Sequence, residues 1–155
     1  MFKINNIKII SGSKELLEYV GPLWEKLNNH HKNKSINFKE KYEKFTFKER
    51  RDDFITYEKG NININLVKDI DKKIYIGYCI STISNGSIGE ISSLYIEPKY
   101  RKYGIGDELI TLAIKWLDDN KVSKKIIGVA TGNEDVLKFY ERYGFCSKTI
   151  ILEQC

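Results

Sequence analysis

Proline is scarce in this chain: Pro22 and Pro98 are the only two in 155 residues, and no Gly/Ser-rich stretch supplies a flexible linker. Internal repeats and low-complexity tracts are missing as well. Without a linker, and at a length usual for one domain, residues 1–155 are expected to pack as a single unit. Cysteine is nearly as sparse. Cys79, Cys146 and Cys155 are odd in number and show no C-x-x-C spacing, which excludes a disulfide framework and a structural zinc site and suits a reducing, cytoplasmic setting. No apolar run approaches the roughly 20 residues of a membrane helix, and the first ten residues lack the apolar core and cleavage site of a signal peptide, so neither export nor anchoring is expected. Charge is not one-sided: 26 Lys+Arg against 21 Asp+Glu leaves +5, too little to choose between nucleic acid and a phosphorylated small molecule. The densest charged run, residues 38–53, interleaves both signs as a solvated helix face does.

Aromatics are plentiful, with ten Tyr, seven Phe and two Trp, and most fall on expected core faces rather than in the exposed row that base stacking needs. Nucleic acid is therefore not an expected partner. Residues 2–10 read as a strand. Ser11 or Ser13 then caps a helix over residues 14–29, with Leu16, Leu17, Val20, Leu23, Trp24 and Leu27 on its inner side. A second helix is expected over 38–52. Residues 61–67 and 73–81 alternate as half-buried strands, an Asp-Lys-Lys turn joins them, and Asn85-Gly86 opens a tight hairpin into a strand over 89–96. That is an antiparallel meander. Ile105, Leu109, Leu112, Ala113, Trp116 and Leu117 then form one helical stripe, followed by a strand over 124–130 that a right-handed crossover sets parallel to the previous one. Asn133 opens a last helix to Tyr143, Gly144 ends it, and residues 145–152 are expected to close the sheet as a strand. The expected fold class is a mixed α/β domain.

Arg101-Lys102-Tyr103-Gly104-Ile105-Gly106 stands between a strand and a helix, where unpaired N–H groups and the helix dipole favour an anion. Glycine lets a pyrophosphate approach those amides, and Lys99, Arg101 and Lys102 add charge. A helix entry that merely contains two glycines would read the same. The dinucleotide fingerprint fails because Leu109 occupies its third glycine position, and no G-K-[ST] follows for a P-loop.

Arg101, Gly104 and Gly106 resemble the [QR]-x-x-G-x-[GA] acetyl-CoA signature of the GNAT superfamily of N-acetyltransferases. Asn133, Tyr140 and Gly144-Phe145 resemble that family's later N…Y…GF pattern, with Val136 where a small residue is usual. From residue 61 onward the element order agrees, whereas the first 60 residues resemble the family in element order alone. The resemblance implies a GNAT-like domain whose central mixed sheet, flanked by helices, opens between a parallel strand pair around acyl-CoA. It implies acetyl-CoA as co-substrate, no metal, and transfer to a primary amine by direct attack. The runner-up is a non-catalytic acyl-CoA-binding regulatory module of the same fold.

By the same resemblance, pyrophosphate would rest on Arg101, Lys102, Tyr103, Gly104, Ile105, Gly106 and Asp107, and the backbone of Leu94, Tyr95 and Ile96 would hold the pantetheine arm. Asn133 and Tyr140, seven positions apart, share a helix face, so both could meet the CoA arm. Tyr140, a phenol with an ordinary pKa near 10, would protonate the leaving thiolate, although a core tyrosine would show the same spacing. Glu90 stands where some members supply a general base; a surface glutamate or a water chain are the alternatives. His30 and His31 end the first helix, in the region that by the same resemblance helps frame the acceptor pocket, although ordinary residues of a helix C-terminus would read the same. Cys146 could suggest a covalent acyl-cysteine step, but a buried structural thiol is the expected reading, since direct transfer needs no such step. Glu40, Glu43, Asp52 and Asp53 fit either steering of a cationic acceptor or plain helix solubility. A homodimer fits the short tail, which would finish its own sheet or pair with a neighbour's edge.

Overall fold

Ile62, Ile64 and Leu66 alternate with asparagines, and their segment forms β2 (Ile62–Asp69), paired antiparallel with β3 (Ile74–Ser84), which pairs antiparallel with β4 (Ile88–Ile96). β1 (Ile7–Gly12) runs antiparallel along β2, and β5 (Lys124–Ile127) runs parallel to β4, giving one sheet of order β1-β2-β3-β4-β5. The structure, a computed structural model, describes residues 6–85 and 87–155; the first residues of the expected opening strand and the hairpin glycine Gly86 lie outside these. Asn85 at φ 50 does adopt the left-handed conformation expected of that hairpin.

Both faces of the sheet are covered. On one, α1 (Leu17–Lys34) lays Leu17, Val20, Leu23 and Trp24 against Ile64, Leu66, Tyr78 and Ile80. On the other, α4 (Ile105–Asp119) lays Leu109, Ile110, Ala113 and Leu117 against Val67, Ile76, Cys79 and Ile91. This double cover corrects the half-buried reading of β2 and β3, which are buried along most of their length. Asn65 is buried there with its Oδ1 accepting the Ser11 hydroxyl at 2.7 Å, while its Nδ2 has no partner. Among the described residues no helix is long and apolar enough to cross a membrane.

The expected helix over 38–52 is two helices, α2 (Lys39–Lys44) and α3 (Phe47–Ile55). Thr46 divides them. Its Oγ1 accepts the Glu49 N–H at 3.3 Å and donates to the Glu49 carboxylate at 3.3 Å, a capping arrangement that starts a new helix in a new direction. Ser13 stands at the entrance to the first helical segment without capping it, because its hydroxyl donates to the carbonyls of Lys59 and Ile62. α1 itself continues to Lys34 instead of stopping at Asn29.

The closing strand expected over 145–152 is absent. Phe145 packs on the α4-side core, but Ile150, Ile151 and Leu152 are 83%, 87% and 91% exposed, and Glu153 reaches Lys41 at 2.7 Å. β propensity forms no ladder without a paired edge, and the tail joins no strand of the sheet.

β4 carries the irregularity that shapes the site. Ser81 pairs with Ile91 and Ile80 with Ser93, so Ser92 is the extra residue of a β-bulge. The parallel ladder of β4 and β5 ends at the pair Ile91 and Ile127, immediately before that bulge. Beyond it residues 128–130, expected as strand, leave the sheet, and a fork opens.

Candidate active site

A cavity of about 220 Å³ fills the fork. Leu94 of β4 bounds one side, and Gly128, Ala130, Asn133 and Tyr140 bound the other. Trp24, Asn28 and His31 of α1, with Phe45 and Arg50, close it from the sheet face opposite α4. The Glu97 N–H donates to the Ile76 carbonyl at 2.8 Å, so the strict alternation of an antiparallel edge turns the backbone groups of Leu94 and Ile96 away from β3 and into the fork. The Ile96 carbonyl accordingly accepts Arg101 Nε at 2.9 Å. Tyr95 is buried toward α1, with the Arg101 guanidinium 5.6 Å from its ring centre.

Beyond β4, Lys102 (φ 72) and Gly104 (φ 80) both turn left-handed, and Gly104 caps α4. The first helical bond is Glu108 N–H to the Gly104 carbonyl at 3.1 Å, which leaves the preceding N–H groups without helical acceptors. A Cβ on Gly104 would meet nothing within 4 Å, so the concavity is open; one on Gly106 would stand 3.4 Å from the Phe139 ring. Arg101, Lys102 and Tyr103 are exposed around it, while Ile105 is buried in the α4 core. The Asp107 carboxylate is occupied by Arg142 at 2.9 Å and by the Tyr143 hydroxyl, so only its backbone is available to a ligand.

α5 (Leu137–Glu141) follows a 3-10 turn over Glu134–Val136 and carries Tyr140, whose hydroxyl burial pushes up to about 12. At neutral pH it is a protonated donor facing the cavity. Gly144 at φ 86 ends this segment in the left-handed turn expected of it. Asn133 lines the same cavity, its Oδ1 3.2 Å from His30 Nε2. Gly132, at φ 94, lies so close to the end of α1 that a Cβ would fall 2.4 Å from the Lys34 carbonyl oxygen. Glycine and asparagine together therefore clasp the loop after β5 to the C-terminal turn of α1.

Glu90 sits on β4 opposite Thr82 and Ile126 and is not among the residues that line the cavity. His31 does line it. Its Nδ1 is buried without a partner, and burial followed by the neighbouring His30 holds its pKa below the usual histidine value. The ordinary helix-end reading of His31 gives way to the other one, a place in the pocket wall, whereas Arg50 was not singled out in the sequence at all. A signal existed: Phe47, Arg50 and Phe54 recur at helical spacing and form the inner stripe of α3. Cys79 is buried, its thiol pushed up to about 12, whereas Cys146 is exposed, which corrects its reading as a buried structural thiol; neither lines the cavity. Glu40, Glu43, Asp52 and Asp53 are all exposed outside it. Among the described residues no group of three or more His, Cys, Asp or Glu is placed to hold a metal.

A family model described as the acetyltransferase (GNAT) family matches residues 24–145. The chain belongs to the GNAT family. The match begins at Trp24, so the wall of the cavity on α1 lies inside it and β1 outside. This GNAT chain is 32% identical over 74 residues to an uncharacterised N-acetyltransferase of Methanocaldococcus jannaschii, a match covering 46% of the chain and only 32%, about a third, of that relative. Its fold is similar to that of the PaiA N-acetyltransferase of Thermoplasma acidophilum solved with coenzyme A, at 20% identity and TM-score 0.70, covering 93% of this chain and 92% of that one. It is similar also to the aminoglycoside N-acetyltransferase AAC(6')-Iy solved with a CoA bisubstrate analogue, at 14% identity and TM-score 0.67, covering 97% and 99%.

Proposed function

We propose that this chain transfers an acetyl group from acetyl-CoA to a primary amine by direct attack in a ternary complex. The observation that carries the reading is the fork between β4 and β5, whose cavity has the Leu94 backbone on one side and Tyr140 on the other. The free N–H groups at the start of α4, with Arg101 and Lys102, suit the pyrophosphate; the edge from Leu94 through Ile96 suits the pantetheine amides. The CoA compounds bound to the similar structures support that assignment.

In this reading the amine nitrogen bonds to the thioester carbonyl carbon as the C–S bond breaks. Charge on the carbonyl oxygen meets a backbone N–H of the β4 edge, the leaving thiolate takes the phenolic proton of Tyr140, and the proton that the nitrogen sheds in becoming a neutral amide replaces it on the Tyr140 oxygen. An alkylammonium with a pKa of about 10 must first lose a proton. His31 at the cavity wall is neutral and can take part in that transfer, but the burial that lowers its pKa makes it a weak acceptor, so a water chain or Glu90 through a water relay carries the proton onward. Homodimeric assembly and a cytoplasmic setting belong to the same reading, the latter resting on three free cysteines.

Acetyl-CoA at about 100 times its dissociation constant is expected to stabilise the fold by about 2.7 kcal/mol and raise the melting temperature by roughly 5–10 °C. An amine panel with thiol detection then tests transfer. No thermal shift at saturation would sink the reading; a shift without thiol release from any amine would leave a binding module of the same fold.

A further inference from the structure

We infer that the amine acceptor carries an anionic group, most simply a carboxylate a few bonds from its amine, and that Arg50 selects it; the inference rests on the acetyl-transfer reading above. Arg50 is the one side chain in the cavity lining, among the described residues, that is charged whatever the state of His31, and no carboxylate lines the cavity. Its Nη2 donates to the Ser92 carbonyl at 3.1 Å, and its guanidinium carbon stands 4.3 Å from the Phe54 ring centre. Neither contact neutralises it. Among the described residues no Asp or Glu lies within ion-pair distance, although Asp52 and Asp53 follow closely on the same helix and face solvent. One of the five N–H donors of a guanidinium is used by Ser92, and the planar fork that remains matches a carboxylate or phosphate.

Position strengthens the case. Ser92 precedes Leu94 by two residues, about 7 Å along a strand, and the Leu94 backbone bounds the place where the thioester carbonyl would lie. An acceptor with its amine at the thioester and its anion at Arg50 is therefore compact, as an amino acid is. A polycation would meet an unpaired guanidinium in a cavity that Trp24 and Phe45 also line, whereas the carboxylates Glu25 and Glu43 line the shallower neighbouring groove.

The test uses the full chain, acetyl-CoA and matched amines: glycine, β-alanine and several L-amino acids, each beside its carboxamide and its decarboxylated amine, with spermidine as the polycation. The carboxamides are less basic than the amino acids and the decarboxylated amines are similar or more basic, so a preference for the carboxylate over both cannot come from basicity. The carboxylated members are expected to show kcat/KM at least about tenfold higher, as a charged hydrogen-bonded contact supports. Arg50→Gln is expected to bring that ratio to within about threefold of one, with the loss carried by KM, while the thermal shift given by CoA persists and shows the variant folded. A ratio that survives Arg50→Gln, or turnover favouring spermidine and the decarboxylated amines, overturns the inference and leaves acetyl transfer standing. Carboxylated amines that neither turn over nor raise the melting temperature of the CoA-bound protein overturn it also. Thiol release from no amine removes the acetyl-transfer reading and this inference with it.

Discussion

Tyr140→Phe is expected to lower turnover about a hundredfold while changing acetyl-CoA affinity by less than about threefold, the pattern of an interaction made only as the thiolate leaves. The substitution removes one hydroxyl and keeps the ring, which packs edge-on against Phe139 and Phe145. Packing is therefore preserved and a large loss would be chemical. The pH profile gives a second readout. With its pKa pushed up to about 12 by burial, Tyr140 stays protonated across the neutral and mildly alkaline range, so the wild type is expected to keep its acid up to about pH 10. The linkage has a definite sign: the folded pKa lies above the unfolded one, so the stabilisation that accompanies the neutral phenol is complete below about pH 10 and is lost as pH rises toward 12. Turnover equal to wild type in Tyr140→Phe would remove the residue from the acid role.

Gly104→Glu is expected to weaken acetyl-CoA binding by on the order of a hundredfold, because it places a carboxylate in the concavity that should receive the pyrophosphate. Folding should survive. No atom stands within 4 Å of the position a Cβ would take, so the cost is the left-handed φ of 80, about 1–2 kcal/mol for a residue other than glycine. Gly104→Asn separates the two effects, since asparagine tolerates that conformation and brings no charge. Calorimetric titration in which the Glu variant binds acetyl-CoA as tightly as the Asn variant would place the pyrophosphate elsewhere.

The parts legible in the sequence were those governed by local chemistry. The stripe from Ile105 to Leu117 and the Gly144 terminus each announce themselves within a few residues, and each was found where expected; the glycine entry to the helix at Gly104 was expected too, but its left-handed φ was not. Thr46 and Glu49 were equally local, but the mixed charges around them suggested one continuous solvated helix and hid the cap. The rest depended on distant partners. Nothing in Ile91-Ser92-Ser93-Leu94 marks a bulge, because the extra residue is defined only by the register of β3. Arg50 gains its meaning from a carbonyl 42 positions away, and Asn133 from a histidine 103 positions away. The exposed tail is the opposite case: its residues favour a strand, but no neighbouring edge receives them.

The fold does not need Ser92. A chain shortened by that one residue would keep Ile91 opposite Ser81 and Ser93 opposite Ile80, with every downstream side chain on its present face of the sheet, and would gain an unbroken ladder. It would also lose the carbonyl that Arg50 holds and the point at which β4 and β5 part. A deletion that regularises the sheet would thus be expected to close the fork, so selection for thermal stability alone would tend to erase this residue and selection for an open cavity would keep it.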